Sequence, residues 1–250
     1  MENKYKKNYL TDVIFELKFP PVLEFMDGVN SPVSKFQKKI VDEFSYSKVD
    51  IGEELVVMPN GINSEISTST RKKMSWVFYN ESSNPTKKII LTHNSVILVY
   101  NEYNNFEEFS ESINLILDAL SDYPIKKSEY IGLRYINQLS FDNISDWSKL
   151  INTNLHLVTS KFVKNDILRS MHTLEFKEKD YQIQFVFGQF NSEYPNPISK
   201  KEFALDYTCR CKDSNDIIDV PKITKEMNEI IVKWFEKSIL DDLREKLEVE

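Results

Sequence analysis

Glycine is nearly absent from this chain, with 5 in 250 residues, and alanine is scarcer still, with only Ala119 and Ala204. Folds that cradle phosphate on bare backbone need glycine where the main chain approaches the anion, as in the P-loop and the dinucleotide fingerprint. Neither spacing occurs, which excludes chemistry built on those loops. There are 2 cysteines, Cys209 and Cys211. At i and i+2 of a predicted strand their side chains share a face, in poor geometry for a mutual disulfide. No second Cys or His pair lies nearby to complete a metal site, so they read as two reduced thiols in the core or across strands. No run of about 18 apolar residues occurs, and the lysine-rich start MENKYKKNYL has no apolar segment behind it. The expectation is a cytoplasmic protein with no membrane attachment, no metal and no cofactor.

What is present suits an ordinary folded interior. Hydrophobic residues make up 41% and charged residues 28%, which argues against disorder, and an aromatic share of 12% supplies bulky core material. The excess of Lys, Asn and Ile over Ala and Gly has the stamp of an AT-rich bacterial genome, so a single Lys or Asn carries little information. A net charge of −7 disfavours nucleic acid as a partner without excluding a local basic patch. The basic clusters Lys4, Lys6, Lys7 and Arg71, Lys72, Lys73 are too short to read as more than solvated ends of elements.

Periodicity organises the chain. Residues 10–19 alternate Val13, Phe15, Leu17 and Phe19 against Asp12, Ile14, Glu16 and Lys18, the period-two pattern of a strand with one buried face. Ser31 and Pro32 can open a helix running to Phe44 through Val33, Phe36, Ile40 and Val41. A meander follows: a strand around 55–58, a longer one ending at 74–78, and two more over 88–92 and 96–100, with a tight turn at 93–95. A helix over 106–120 carries Phe109, Ile113, Ile116, Leu117 and Leu120 on one stripe. The second half repeats the order, with a strand over 130–139, a helix over 144–155, strands over 167–176, 181–190 and 203–211, and a long helix over 224–247 with Met227, Ile230, Ile231, Trp234, Ile239 and Leu243 inward. The fold class expected is α+β, two similar β-α-β-β-β-α halves with mainly antiparallel sheets packed as one body, residues 1–124 and 125–250, in one cooperative unit. Residues 191–201 form the most loop-like stretch.

Three segments, YKKNYLTDVIFELKFP at 5–20, YIGLRYINQL at 130–139 and WFEKSILDDLREKL at 234–247, resemble a sporadically distributed bacterial and archaeal family of similar length that is uncharacterised. The core from Gly132 to Asn137 carries most of the resemblance. It implies a stand-alone protein with the patchy distribution of antiviral defence, toxin-antitoxin or mobile-element genes, and it implies no catalytic residue.

Arg134 is the first polar candidate. It sits mid-strand on the pleat shared with Gly132 and Gln138, where a guanidinium must be paired or wet. If that pleat lines a cleft between the halves, Arg134 clamps a phosphate or carboxylate; otherwise it is a structural residue, buried and bonded to a strand carboxylate such as Glu175 or Asp206. Thr173, Glu175, Gln182, Gln184, Asp206, Thr208 and Arg210 share polar pleats, which read as a solvated sheet face or as a ligand groove. The ligand-binding candidates are therefore Arg134, Gln138, Glu175, Asp206 and Arg210. Glu16-x-Lys18 and Glu175-x-Lys177 have the strand spacing of Mg²⁺-dependent nucleases, which also need an acidic neighbour such as Asp12 or Asp166. His93, His156 and His172 stand in no ligand or nucleophile motif, and only His172 beside Cys209 or Cys211 would give a Cys-His pair. The leading expectation is a non-enzymatic binding or regulatory protein with a protein partner or self-association. A metal-dependent nuclease or hydrolase and a nucleotide-sensing module remain as alternatives.

Overall fold

The computed structural model describes residues 5–26, 33–60, 65–141, 147–162, 167–196 and 201–248. Ser31, Pro32, Ile144 and Asp166, which carried expectations above, lie outside the described residues. Alternation is visible at once in strand β1 (Leu10–Lys18), where Val13, Phe15 and Leu17 are fully buried and Asp12, Ile14 and Glu16 between them are not. The same period builds β7 (Tyr130–Phe141), whose buried pleat is Ile131, Leu133, Tyr135, Asn137 and Leu139. These two strands pair antiparallel, with Val13 opposite Tyr135 and Phe15 opposite Leu133.

The remaining strands extend this pair outward in both directions. They are β2 (Tyr46–Asn60), β3 (Glu65–Tyr79), β4 (Lys87–Leu91), β5 (Ser95–Tyr100), β8 (Ser170–Glu178), β9 (Tyr181–Phe190) and β10 (Lys201–Cys211), and the order across the 9-stranded sheet is β2-β3-β4-β5-β1-β7-β10-β9-β8. Every neighbouring pair is antiparallel. The expected sheets are thus one sheet, joined through β1 and β7. The first meander also holds one strand more than the second. β2 pairs with β3 from Tyr46↔Tyr79 to Asn60↔Glu65, whereas β4 reaches only Trp76–Tyr79 of β3, so the outer part of this pair runs on as a two-stranded ribbon. A short ladder between β6 (Lys127–Ser128) and β11 (Asn215–Asp216) stands apart.

The helices cover one face. Helix α1 (Val33–Ile40) sets Phe36 against Phe78 of β3 at 5.7 Å between ring centroids, and α2 (Phe106–Leu120) sets Phe109 edge-on to Tyr100 of β5 at 5.0 Å. Asn105 starts α2 by accepting the Glu108 N–H, satisfying one of the orphan donors of the first turn. Helix α5 (Val220–Ser238) lies on β7 and β10 and touches α2. Two helices differ from expectation. From Trp147 onward the helix expected over 144–155 is a short α3 (Trp147–Leu150) followed by α4 (Thr153–Phe162), and the C-terminal helix breaks into α5 and α6 (Asp241–Glu248). The two breaks meet at one contact: Ile151 and Ile239 form a β-bridge, with Ile239 extended at φ −112° and ψ 158°. Met227, Ile230, Ile231, Ile239 and Leu243 are buried as the stripe requires, while Trp234 is half-buried.

Candidate functional site: the cavity over the central strands

Above the β1–β7 pair the helix layer leaves a gap between the start of α2 and the second half of α5. Residues 5–9 cross it, held by Lys7 N–H to Leu247 O at 3.0 Å, Gln138 N–H to Tyr9 O at 2.9 Å and Asn8 Nδ2 to Tyr103 O at 2.8 Å. Beneath this strap lies a cavity of about 260 Å³. Its walls are Tyr5, Tyr9, Tyr103, Phe106, Tyr135 and Phe235 together with Leu10, Ile231 and Val232, and its polar groups include Asn137 and Asn228.

Hydrogen bonds set the orientation of these amides. The Tyr135 hydroxyl donates to Asn228 Oδ1 at 2.7 Å; its single proton being committed there, Tyr103 donates to Tyr135 at 3.1 Å. Asn228, only 2% exposed, lines the cavity, and its Nδ2 is the part of the amide left for another partner. Asn137, 5% exposed, also lines the cavity and donates its Nδ2 to Leu205 O at 3.3 Å, which leaves Oδ1 as an acceptor. Neither amide makes a further hydrogen bond among the described residues. The charged residues of the lining are Lys7 and Glu107, exposed at the rim, and Glu236, which accepts from Tyr5 and from Arg244 Nε at 2.9 Å. The lining holds no surplus of positive charge.

The residues singled out by sequence lie on the other side of the sheet. Arg134, Thr208, Gln184 and Glu175 stand directly opposite one another across β7, β10, β9 and β8, on the pleat that faces away from the helices. Arg134 Nε and Nη2 bond bidentately to Asp206 Oδ1 and Oδ2 at 2.9 and 2.7 Å, and this pairing holds the guanidinium charged more firmly than usual. Gln138 Nε2 donates to Glu202 Oε2 at 2.6 Å; Arg210 Nη2 donates to Gln184 Oε1 at 2.7 Å, whose Nε2 donates to Glu175 Oε1 at 2.9 Å. The structure brings all five candidates to one face and pairs each with a neighbour. The expected burial of Arg134 is corrected: its side chain is 43% exposed, because the helices cover the opposite pleat and β1 joins β7 without a cleft. Gly132 shares this face because the Tyr130 ring lies over it; a Cβ there would sit 2.6 Å from the Tyr130 hydroxyl.

Other constellations fall short of reactive geometry. Glu16 and Lys18 pair with each other at 3.3 Å, Asp12 accepts from Asn101 Nδ2 at 2.7 Å, and Glu175 and Lys177 are exposed on the outer strand β8. Among the described residues, no three His, Cys, Asp or Glu side chains converge on a point where a cation could bind. His172 stacks on Phe187 at 5.3 Å, and β9 separates its strand from Cys209 and Cys211, so the Cys-His pair does not form. Burial pushes the Cys209 thiol up to about 12, which leaves it protonated and unreactive. A cluster that sequence reading missed joins Ser112 to Tyr100 at 2.7 Å and Lys87 to Glu108 at 2.7 Å, with Glu43 between them. Burial alone would lower the Lys87 pKa, but Glu108, Tyr100 and Glu43 outweigh it and raise it, so the ammonium cannot act as a base.

Sequence reading also passed over Tyr5, Tyr103, Asn228 and Phe235. A signal for two cavity residues was present: Asn137 is a polar residue on an otherwise apolar pleat, and Asn228 lies on the stripe Thr224, Asn228, Ile231, Phe235 of α5. No helix among the described residues is long and apolar enough to cross a membrane. No family model and no curated protein matches the chain.

Proposed function

We propose that the chain is a non-enzymatic binding protein that holds a small molecule in the cavity over the β1–β7 pair. The observation that carries this reading is a pair of asparagines, Asn228 and Asn137, 2% and 5% exposed, that line an aromatic-walled cavity and, among the described residues, make one side-chain hydrogen bond each, to Tyr135 and to the Leu205 carbonyl. Buried polar groups cost free energy unless hydrogen-bonded, and a ligand relieves that cost. Such cavities between helices, apolar with a few oriented polar groups, are where small molecules bind.

The placement fits a body made of two halves, 1–124 and 125–250. On each side of the β1–β7 pair the order outward is the last, middle and first strand of a three-stranded meander, β5-β4-β3 and β10-β9-β8, with β2 added on one side. On this reading the cavity lies where the halves meet and takes walls from both. The nuclease and nucleotide-sensing readings have less support, since among the described residues the Glu-x-Lys carboxylates do not converge with other acids, and Arg134 is already committed to Asp206.

The test is native mass spectrometry of protein purified gently from cells, beside a Val232→Trp variant that fills the cavity from α5. Wild-type protein should carry a small-molecule adduct that the variant lacks at a similar melting temperature. An adduct equally present in both proteins, or a wild-type protein with no adduct and no melting shift with any added small molecule, overturns the reading.

A further inference from the structure

Resting on that reading, we infer that the ligand is an uncharged, planar heterocycle bearing both a hydrogen-bond donor and an acceptor, the chemistry of a nucleobase or nucleoside. Three features of the cavity lead there. The first is charge. Among the described residues of the lining Lys7 is the one cation, it is exposed as Glu107 is, and Glu236 is already matched by Arg244. A phosphate or carboxylate drawn into this space would lose hydration with no guanidinium or ammonium cluster to replace it. An organic cation would find Glu236 occupied.

The second is shape. Tyr103, Phe106, Tyr135 and Phe235 present ring faces or edges to the space, and the 5.6 Å contact between the Tyr103 and Tyr135 rings fixes that wall. Flat π-faces gain from stacking on such walls, as where proteins bind bases this way. A cavity of about 260 Å³ is also smaller than most small-molecule pockets, which suits one or two fused rings with a modest substituent.

The third is polarity. Asn228 accepts from Tyr135 through Oδ1, which leaves its Nδ2 as a donor, and Asn137 donates to the Leu205 carbonyl, which leaves its Oδ1 as an acceptor. Tyr135 and Asn137 lie two apart on one strand and so share the buried pleat, which brings Asn137 and the Asn228 amide bonded to Tyr135 to the same cavity. A ligand that accepts from Asn228 and donates to Asn137 satisfies both; an aliphatic ligand leaves both unpaired.

The experiment titrates the wild-type chain with uracil, cytosine, adenine, guanine and their nucleosides, and with the matching nucleoside monophosphates, by calorimetry and melting shift. At least one neutral compound should bind, and its monophosphate at least about 10-fold more weakly. Asn228→Asp keeps an oxygen for Tyr135 and exchanges the donor for an acceptor; it should weaken binding by roughly 10- to 100-fold. Phe106→Leu removes one ring wall and serves as the second variant should Asn228→Asp fail to fold, with a loss of at least about 5-fold. Unchanged binding in the folded variants, or a monophosphate that binds best, overturns the ligand class. If none of these compounds binds while a different adduct disappears in Val232→Trp, the ligand class falls and the binding reading stands. If nothing binds and no adduct is found, both fall.

Discussion

Arg134 and Asp206 form the strongest polar contact on the open face, and its worth follows from how each partner meets solvent. The guanidinium is 43% exposed and the carboxylate 13%. An ion pair with one wet partner is screened, so a double-mutant cycle should return a coupling near 1 kcal/mol that shrinks with salt. Arg134→Ala alone should cost somewhat more, roughly 1–2 kcal/mol, because Asp206 is left mostly buried without its partner. Urea unfolding of Arg134→Ala, Asp206→Ala and the double variant at low and high salt measures both terms, and a coupling of zero would mean the bidentate pair adds no stability. Of the pairs on this pleat the sequence makes only Arg134 with Asp206 legible, as one of two candidate carboxylates; the other, Glu175, takes Gln184 instead. Which pleat faces the helices was not legible. Period two separates Arg134 from Tyr135 and Asn137, but the placement of α2 and α5 is a tertiary fact, and it put the cavity on the side holding Tyr135 and Asn137.

The C-terminal helix shows how much an apolar stripe can and cannot foretell. Met227, Ile230, Ile231 and Leu243 recur at helical spacing and are buried, so the core assignment of α5 and α6 follows from pattern alone. The break at Ile239 does not, because no proline or glycine marks it; it falls at a bridge to Ile151, a residue 88 positions away in sequence. Trp234 lies on the same stripe near the edge of the sheet. Its ring meets Phe176 at 4.6 Å between centroids and its Nε1 donates to Glu178 Oε2 at 2.6 Å. Trp234→Ala should therefore cost about 2 kcal/mol, less than the 3–5 kcal/mol of a fully buried ring. Trp234→Phe should recover most of it. Thermal and urea unfolding check both variants; an unchanged stability in Trp234→Ala, with loss of self-association, would instead make this stripe a docking face.

At the scale of the whole molecule, one sheet carries two unlike surfaces. The helix-covered face is apolar, with the cavity where α2, α5 and the strap of residues 5–9 meet over β1 and β7. The other face bears the paired polar residues around Arg134. The alternation that predicted the strands also predicted two faces of opposite character. Pattern in single elements could not show that β1 and β7 lie side by side, since that depends on pairing between residues about 120 apart. The account turns on which face takes a ligand. The direct measurement is ¹⁵N NMR of the labelled chain, following the side-chain amide signals of Asn137 and Asn228 and the Nε signal of Arg134, as the low-molecular-weight fraction of a cell extract is added. The account predicts that the Asn228 and Asn137 signals shift while Arg134 stays in place. A shift at Arg134 with both asparagines unmoved would contradict it and move the site to the open face.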